Sequence, residues 1–171
     1  MTCLMIDVAS LSLDSNDIKR ISHPLVGGVI LFSRNYENKK QLKSLVKSIR
    51  KIKHNILIAV DHEGGRVQRF RDDFTQLPAM ALLGSLFDKD PDEATRIAKL
   101  CGWLIAKELG GCDIDFSFTP VLDVNYESSS VIGNRAFHKE IQPTIHLANS
   151  LTEGLGQAGM QGVGKHFPGH G

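Results

Sequence analysis

The residue types most able to do chemistry lie in three stretches. The seven residues Lys165-His166-Phe167-Pro168-Gly169-His170-Gly171 set a cation and two imidazoles directly after a short apolar run. Asp61-His62-Glu63-Gly64-Gly65-Arg66-Val67-Gln68-Arg69 follows a second apolar run, Ile56–Val60. A carboxylate at the tip of such a run, as Asp61 would be, can accept hydrogen bonds from two neighbouring hydroxyls at once. Gly64-Gly65 lets backbone approach a ligand closely, and Arg66 and Arg69 supply planar, permanently charged donors. The plain alternative is a turn whose Asp–Arg pairs merely hold the loop. The third stretch, from about residue 125 to 138, lacks periodicity and carries Arg135 as its only cation before His138. Long irregular loops inside compact domains are usually functional, so Arg135 reads as a ligand clamp. Asp123, just ahead of that loop, reads as structural, bonding loop backbone or pairing with Arg135.

Lys165 brings three donors, and His166 one or more depending on protonation. Pro168-Gly169 stops any helix, so His166 and His170 are not a helical i, i+4 metal pair. A metal-dependent hydrolase using His62, His166 and His170 stands as a competing reading. Phe167-Pro168 is a candidate cis peptide. His23, His54, His138 and His146 have no comparable company and read as surface or loop, and Trp103 reads as packing.

These residues need a frame. Five apolar runs read as buried strands: Cys3–Val8, Gly28–Phe32, Ile56–Val60, Ile114–Phe118 and Gly162–His166. They are continuously apolar, as expected when both faces of a sheet are covered. A short helix around Ser15–Ser22 joins the first two. Leu42, Leu45, Val46, Ile49 and Ile52 form the apolar stripe of another helix. Asp90, Pro91 and Glu93 supply an N-cap, an N1 proline and a capping box for a third, ending near Gly110-Gly111. A fourth starts near Pro143, with Leu147, Leu151, Leu155 and Ala158 inward and Gly159 as its stop. Such alternation means a parallel α/β fold. No GxGxxG follows the first strand, and the chemical residues sit after the third, fourth and fifth. The pattern therefore resembles a (β/α)8 TIM barrel, whose active site rings the C-terminal ends of its strands. A complete barrel has eight strands and about 250 residues; here about the first five strands are expected, in one incomplete domain spanning 1–171.

The chain has 171 residues, 42% hydrophobic and 23% charged, with a formal net charge of +1. That balance implies no nucleic-acid partner, and the lysines between Lys39 and Lys53 recur at helical spacing, as a solvated face would. Cys3, Cys101 and Cys112 are odd in number without CxxC spacing, which argues against a disulfide framework or zinc site. No apolar run approaches the roughly 20 residues of a membrane span. A cytoplasmic protein without cofactor, metal or membrane partner is expected.

Taken together, the segments resemble the glycoside hydrolase family 3 β-N-acetylglucosaminidases of bacterial cell-wall recycling. Asp61–Arg69 resembles the family's D-x-E-G-G-R-V-Q-R segment, and His23–Tyr36 its second-strand signature. Phe118–Val124, Ile132–Arg135 and Lys165–Gly171 match in order, so the likeness covers essentially the whole chain. It implies that Asp61, Arg69, Arg135, Lys165 and His166 bind the non-reducing N-acetylglucosamine of a small carbohydrate substrate of the N-acetylglucosamine-anhydromuropeptide type. It further implies a retaining double displacement through a glycosyl-enzyme. The family's acid/base histidine lies several residues past the position of Gly171, and its nucleophilic aspartate follows a later strand. No catalytic residue is therefore assigned within 1–171, and the chain alone is expected to be inactive; the competing reading is a degenerate remnant that binds sugar without catalysis. The full-length protein is expected to be monomeric, and the 171-residue chain, with open sheet edges, to self-associate.

Overall fold

The computed structural model describes residues 4–127 and 129–170. Four parallel strands form one sheet in sequential order: β1 (Leu4–Ile6), β2 (Val26–Leu31), β3 (Leu57–Val60) and the fourth, Phe116–Ser117. Val29 faces Ile58 in the β2–β3 register, and Val60 faces Ser117 across the next ladder. Between β3 and the fourth strand, His62–Gly64 (β4) and Val67–Gln68 (β5) fold into a small antiparallel hairpin, so the fourth strand of the sheet is β6. The hairpin stands where the sequence reads as a loop.

Several strands are shorter than expected: β1 stops at Ile6 rather than Val8, β3 starts one residue late, and the last two runs are cut back most. β6 covers only the middle of Ile114–Phe118, although the Asp115 and Phe118 amides on either side still donate to Ile58 O and Val60 O, and the Asp115 carboxylate accepts from Arg50 and the Ile58 amide. The fifth run, Gly162–His166, makes one parallel bridge, Lys165 to Val121. Its neighbour supplies Pro120, which has no N–H to donate, so the ladder is thin there. The Val163 amide still donates to Thr119 O at 2.8 Å and the Leu122 amide to Lys165 O at 2.7 Å. Cys3 lies outside the described residues. Thr119-Pro120, Lys165-His166 and Phe167-Pro168 are cis, the last as expected.

The helices form where their caps and stripes predict. α1 (Ser15–Ile21) opens on an Asp14/Asp17 capping box. α2 (Lys39–Ile52) buries Leu42, Leu45, Val46 and Ile49 beneath its solvated lysine face. A short helix at Met80–Phe87, α3, was not foreseen: its N-cap, Ala79, makes no side-chain cap. α4 (Pro91–Gly110) starts where the Asp90 side chain accepts from the Glu93 amide at 3.0 Å, but the expected capping box is only half made, because the Glu93 carboxylate accepts from Arg96 instead. α5 (Ile141–Gln157) buries Leu147, Leu151 and Leu155. α4 and α5 touch backbone to backbone. An added Cβ would fall 2.0 Å from Leu151 O at Gly102 and 1.9 Å from Lys99 O at Gly154. The core lies between the sheet and α2, α4 and α5, and its apolar side chains include Val29, Leu31, Ile58, Val60, Ile105 and Leu151. The strands' C-terminal ends lead into the loops that carry the chemical residues.

Candidate sugar-binding site

The chemical residues converge at the C-terminal ends of the strands. Asp61 directly follows β3, Glu63 lies in β4, and Arg69 follows β5. Arg135 closes a 3-10 turn at Gly133–Arg135, and Lys165 and His166 follow the extended run beside Val121. Segments more than a hundred residues apart meet here: Lys165 Nζ donates to Asp61 Oδ1 at 2.7 Å.

Five of the expected residues form one hydrogen-bonded network. Asp61 accepts from Lys165 through one oxygen and from Arg69 Nη2, at 3.4 Å, through the other. Burial pushes the Asp61 pKa up, but the hydrogen bond and charge of Lys165, and then Arg69, outweigh it and hold the carboxyl below its ordinary 3.8. Asp61 is ionised at neutral pH, with lone pairs left for two ligand hydroxyls. Arg69, with only that one long bond, keeps donors for a ligand; its guanidinium sits 5.8 Å from the Phe32 ring centroid. His166 Nε2 lies 3.4 Å from Arg135 Nη2, tying the last two members together.

Glu63 was not singled out from sequence, yet it is the centre of the network. Its side chain is 2% exposed. Arg135 donates to it twice, Nε to Oε2 at 2.9 Å and Nη2 to Oε1 at 2.8 Å, and Lys165 Nζ also contacts Oε1. Glu63 raises the Arg135 pKa further above its ordinary value. A signal was present: Asp61 and Glu63 are two apart, and alternate residues of an extended segment share a face.

Asp123 is structural, as expected, but its partner is not Arg135. It accepts from His166 Nδ1 at 2.5 Å and from the His170 amide at 2.7 Å. Burial works against its ionised form, and those two hydrogen bonds outweigh burial and lower its pKa. By engaging Nδ1, Asp123 leaves His166 Nε2 turned toward Arg135 and the site. Arg66 proves to be a strap: it donates to Ser130 O at 3.0 Å and Ile132 O at 3.3 Å, holding the Arg135 loop. Gln68, buried, binds Phe70 O, Thr75 O and the Leu77 amide, fixing the turn below. His62 is seated among Phe70 and Phe74, away from the imidazole pair of His166 and His170, whose centroids lie 5.5 Å apart. Among the described residues no group of three or more His, Cys, Asp or Glu is arranged to hold a metal ion. Beside the network opens a cavity of about 490 Å³, lined by Asp123, Tyr126, Lys165, His166 and Phe167 among others.

Asp61, Glu63, Arg135 and Lys165 are paired with one another, so an ionic ligand at any of these four would have to break an existing pair. A neutral, hydroxyl-rich ligand can add to the remaining donors and acceptors without breaking any.

The beta-hexosaminidase of Methylobacillus flagellatus is 56% identical over 169 residues, which is 98% of this chain and 48% of that protein. NagZ from Neisseria gonorrhoeae, in complex with N-trifluoroacetyl-D-glucosamine, superposes with a TM-score of 0.96 at 47% identity, covering 99% of this chain and 51% of that one. A glycoside hydrolase family 3 beta-N-acetylglucosaminidase from Paenibacillus sp. superposes with a TM-score of 0.87 at 30% identity, over 98% of this chain and 32% of that one. The chain spans about half the length of the curated relatives it matches. Residues 4–171 match the glycosyl hydrolase family 3 N terminal domain, and the chain belongs to that family.

Proposed function

We propose that the protein is a β-N-acetylhexosaminidase part whose 171 residues hold the sugar. Residues 1–171 are the N-terminal portion of a single (β/α)8 barrel domain, including about its first five strands. The sequential parallel order β1-β2-β3-β6, continued by the Val121–Lys165 bridge, supports this architecture. The substrate is a small carbohydrate carrying terminal, non-reducing β-linked N-acetylglucosamine, released from muropeptide fragments during peptidoglycan recycling in the cytoplasm. The reaction is a retaining hydrolysis that needs no cofactor.

One observation carries the reading: Asp61, Arg69, Arg135, Lys165 and His166 converge in one network with Glu63 at the strands' C-terminal ends. Asp61 accepts sugar hydroxyls, Arg69 and Lys165 offer donors, and His166, whose Nδ1–H is given to Asp123, presents Nε2. None of these groups is placed as a nucleophile. Retaining glycosidases need an attacking carboxylate, whereas Asp61 and Glu63 are each engaged by two cations. The acid/base histidine and nucleophilic aspartate belong to later segments of the family's barrel.

The test uses the 171-residue chain. It is expected to bind N-acetylglucosamine, with Asp61→Ala removing that binding, and to release no nitrophenol from a nitrophenyl β-N-acetylglucosaminide. Measurable turnover would overturn the assignment of the site as binding only. Failure to bind N-acetylglucosamine would overturn the sugar reading.

A further inference from the structure

We propose that Glu63 sets the class of ligand this site accepts. Its buried carboxylate occupies the place an anionic ligand would take, and so reserves the network for a neutral polyhydroxyl ring. An arginine grips carboxylate, sulfate or phosphate through two parallel N–H groups. On Arg135 that edge, Nε with Nη2, is spent on Glu63. The nearby ammonium of Lys165 is shared between Glu63 and Asp61. Glu63 cannot itself meet a ligand well, with 2% of its side chain exposed against 21% for Asp61. It acts through its partners, as a positioning residue. Together with Asp61 it balances the two cations; it fixes their geometry and leaves Asp61 as the accessible acceptor. Low local dielectric makes this internal anion far more effective than a surface carboxylate would be.

The sugar part of this inference rests on the proposed function; the anion part does not. Glu63→Gln keeps the shape, removes one negative charge and cannot accept the full Arg135 fork. Wild type, Glu63→Gln and Glu63→Asp are titrated at low ionic strength with inorganic sulfate and, separately, with N-acetylglucosamine, with circular dichroism confirming the fold. Glu63→Gln is expected to bind sulfate at least about tenfold tighter than wild type and the sugar at least about tenfold more weakly. Glu63→Asp, which retains the charge, is expected to recover part of both. Adding Lys165→Met to Glu63→Gln restores the wild-type net charge and is expected to abolish the sulfate gain. A folded Glu63→Gln protein with wild-type sulfate affinity overturns the inference. If Glu63→Gln does not fold, Glu63→Asp decides: its shorter arm loosens the fork, and the absence of any sulfate gain overturns the inference. Wild type that fails to bind the sugar, with the sulfate gain intact, overturns the sugar reading and leaves the role of Glu63 standing.

Discussion

Replacing His62 with phenylalanine tests the packing beneath the site through its response to acid. The His62 side chain is buried, with ring centroids 6.0 Å from Phe70 and 5.5 Å from Phe74, and its Nδ1 has no hydrogen-bond partner. Burial, reinforced by the charge of Arg71, pushes its pKa from 6.5 down to about 4. As pH falls below 6.5 the unfolded chain takes a proton that the folded chain refuses until about pH 4. Stability therefore falls with acidification across that window and is independent of this group above it. One proton is worth about 1.4 kcal/mol per pH unit, so the full gap corresponds to about 3 kcal/mol, of which about 2 kcal/mol has gone by pH 5. His62→Phe fits the aromatic pocket and removes both the orphaned nitrogen and the proton uptake. Urea unfolding of wild type and variant at pH 7, 6, 5 and 4.5 reads the difference, since every other titrating group is common to both. Wild type should lose about 2 kcal/mol relative to the variant between pH 7 and 5. Parallel stability profiles would refute the argument, because they would mean that His62 is as wet in the native state as in the unfolded one.

Gly102→Ala should lower stability by about 1–3 kcal/mol in thermal or chemical unfolding, because the new methyl meets Leu151 O on α5 and the helices must part. Gly156→Ala, on the same helix pair but with nothing within 4 Å, should be neutral or raise stability by up to about 1 kcal/mol. The chain is also expected to self-associate in size-exclusion chromatography. Among the described residues β1 pairs only with β2, and Leu4, Leu122, Tyr126 and Phe167 are exposed. Elution as a compact, concentration-independent monomer would count against that.

Helices α4 and α5 were legible because each declares itself twice, by an apolar stripe and by a capping or stopping residue, and α2 by its stripe alone. α3 declares itself by neither: Met-Ala-Leu-Leu-Gly-Ser-Leu-Phe is apolar nearly all round, and its cap is an alanine. The apolar run Gly162–His166 has the composition of a strand, but pairing depends on the neighbour, and Pro120 weakens that neighbour's ladder. At the site, Asp61, Arg69, Arg135, Lys165 and His166 were named through the resemblance, and the fold brings all five into one network. Glu63 was hidden because burial, not residue type, makes it central. Of the two roles open for Asp123, bonding backbone and pairing with Arg135, the fold shows a backbone bond, from the His170 amide, and adds His166 in place of Arg135, since which partner a carboxylate meets depends on segments distant in sequence.

The bond between Asp61 and Lys165 spans 104 residues. The ribosome therefore makes Asp61 and Glu63 long before Lys165 exists, and Arg135 arrives only 72 residues after Glu63. The sequential sheet lets each strand find its predecessor as it emerges, with little chain to close. The two carboxylates cannot be buried cheaply until both cations are present. Formation of the site is thus a late step that seals an already ordered sheet, and the nascent chain before residue 165 holds its strands with an unsealed, acidic mouth.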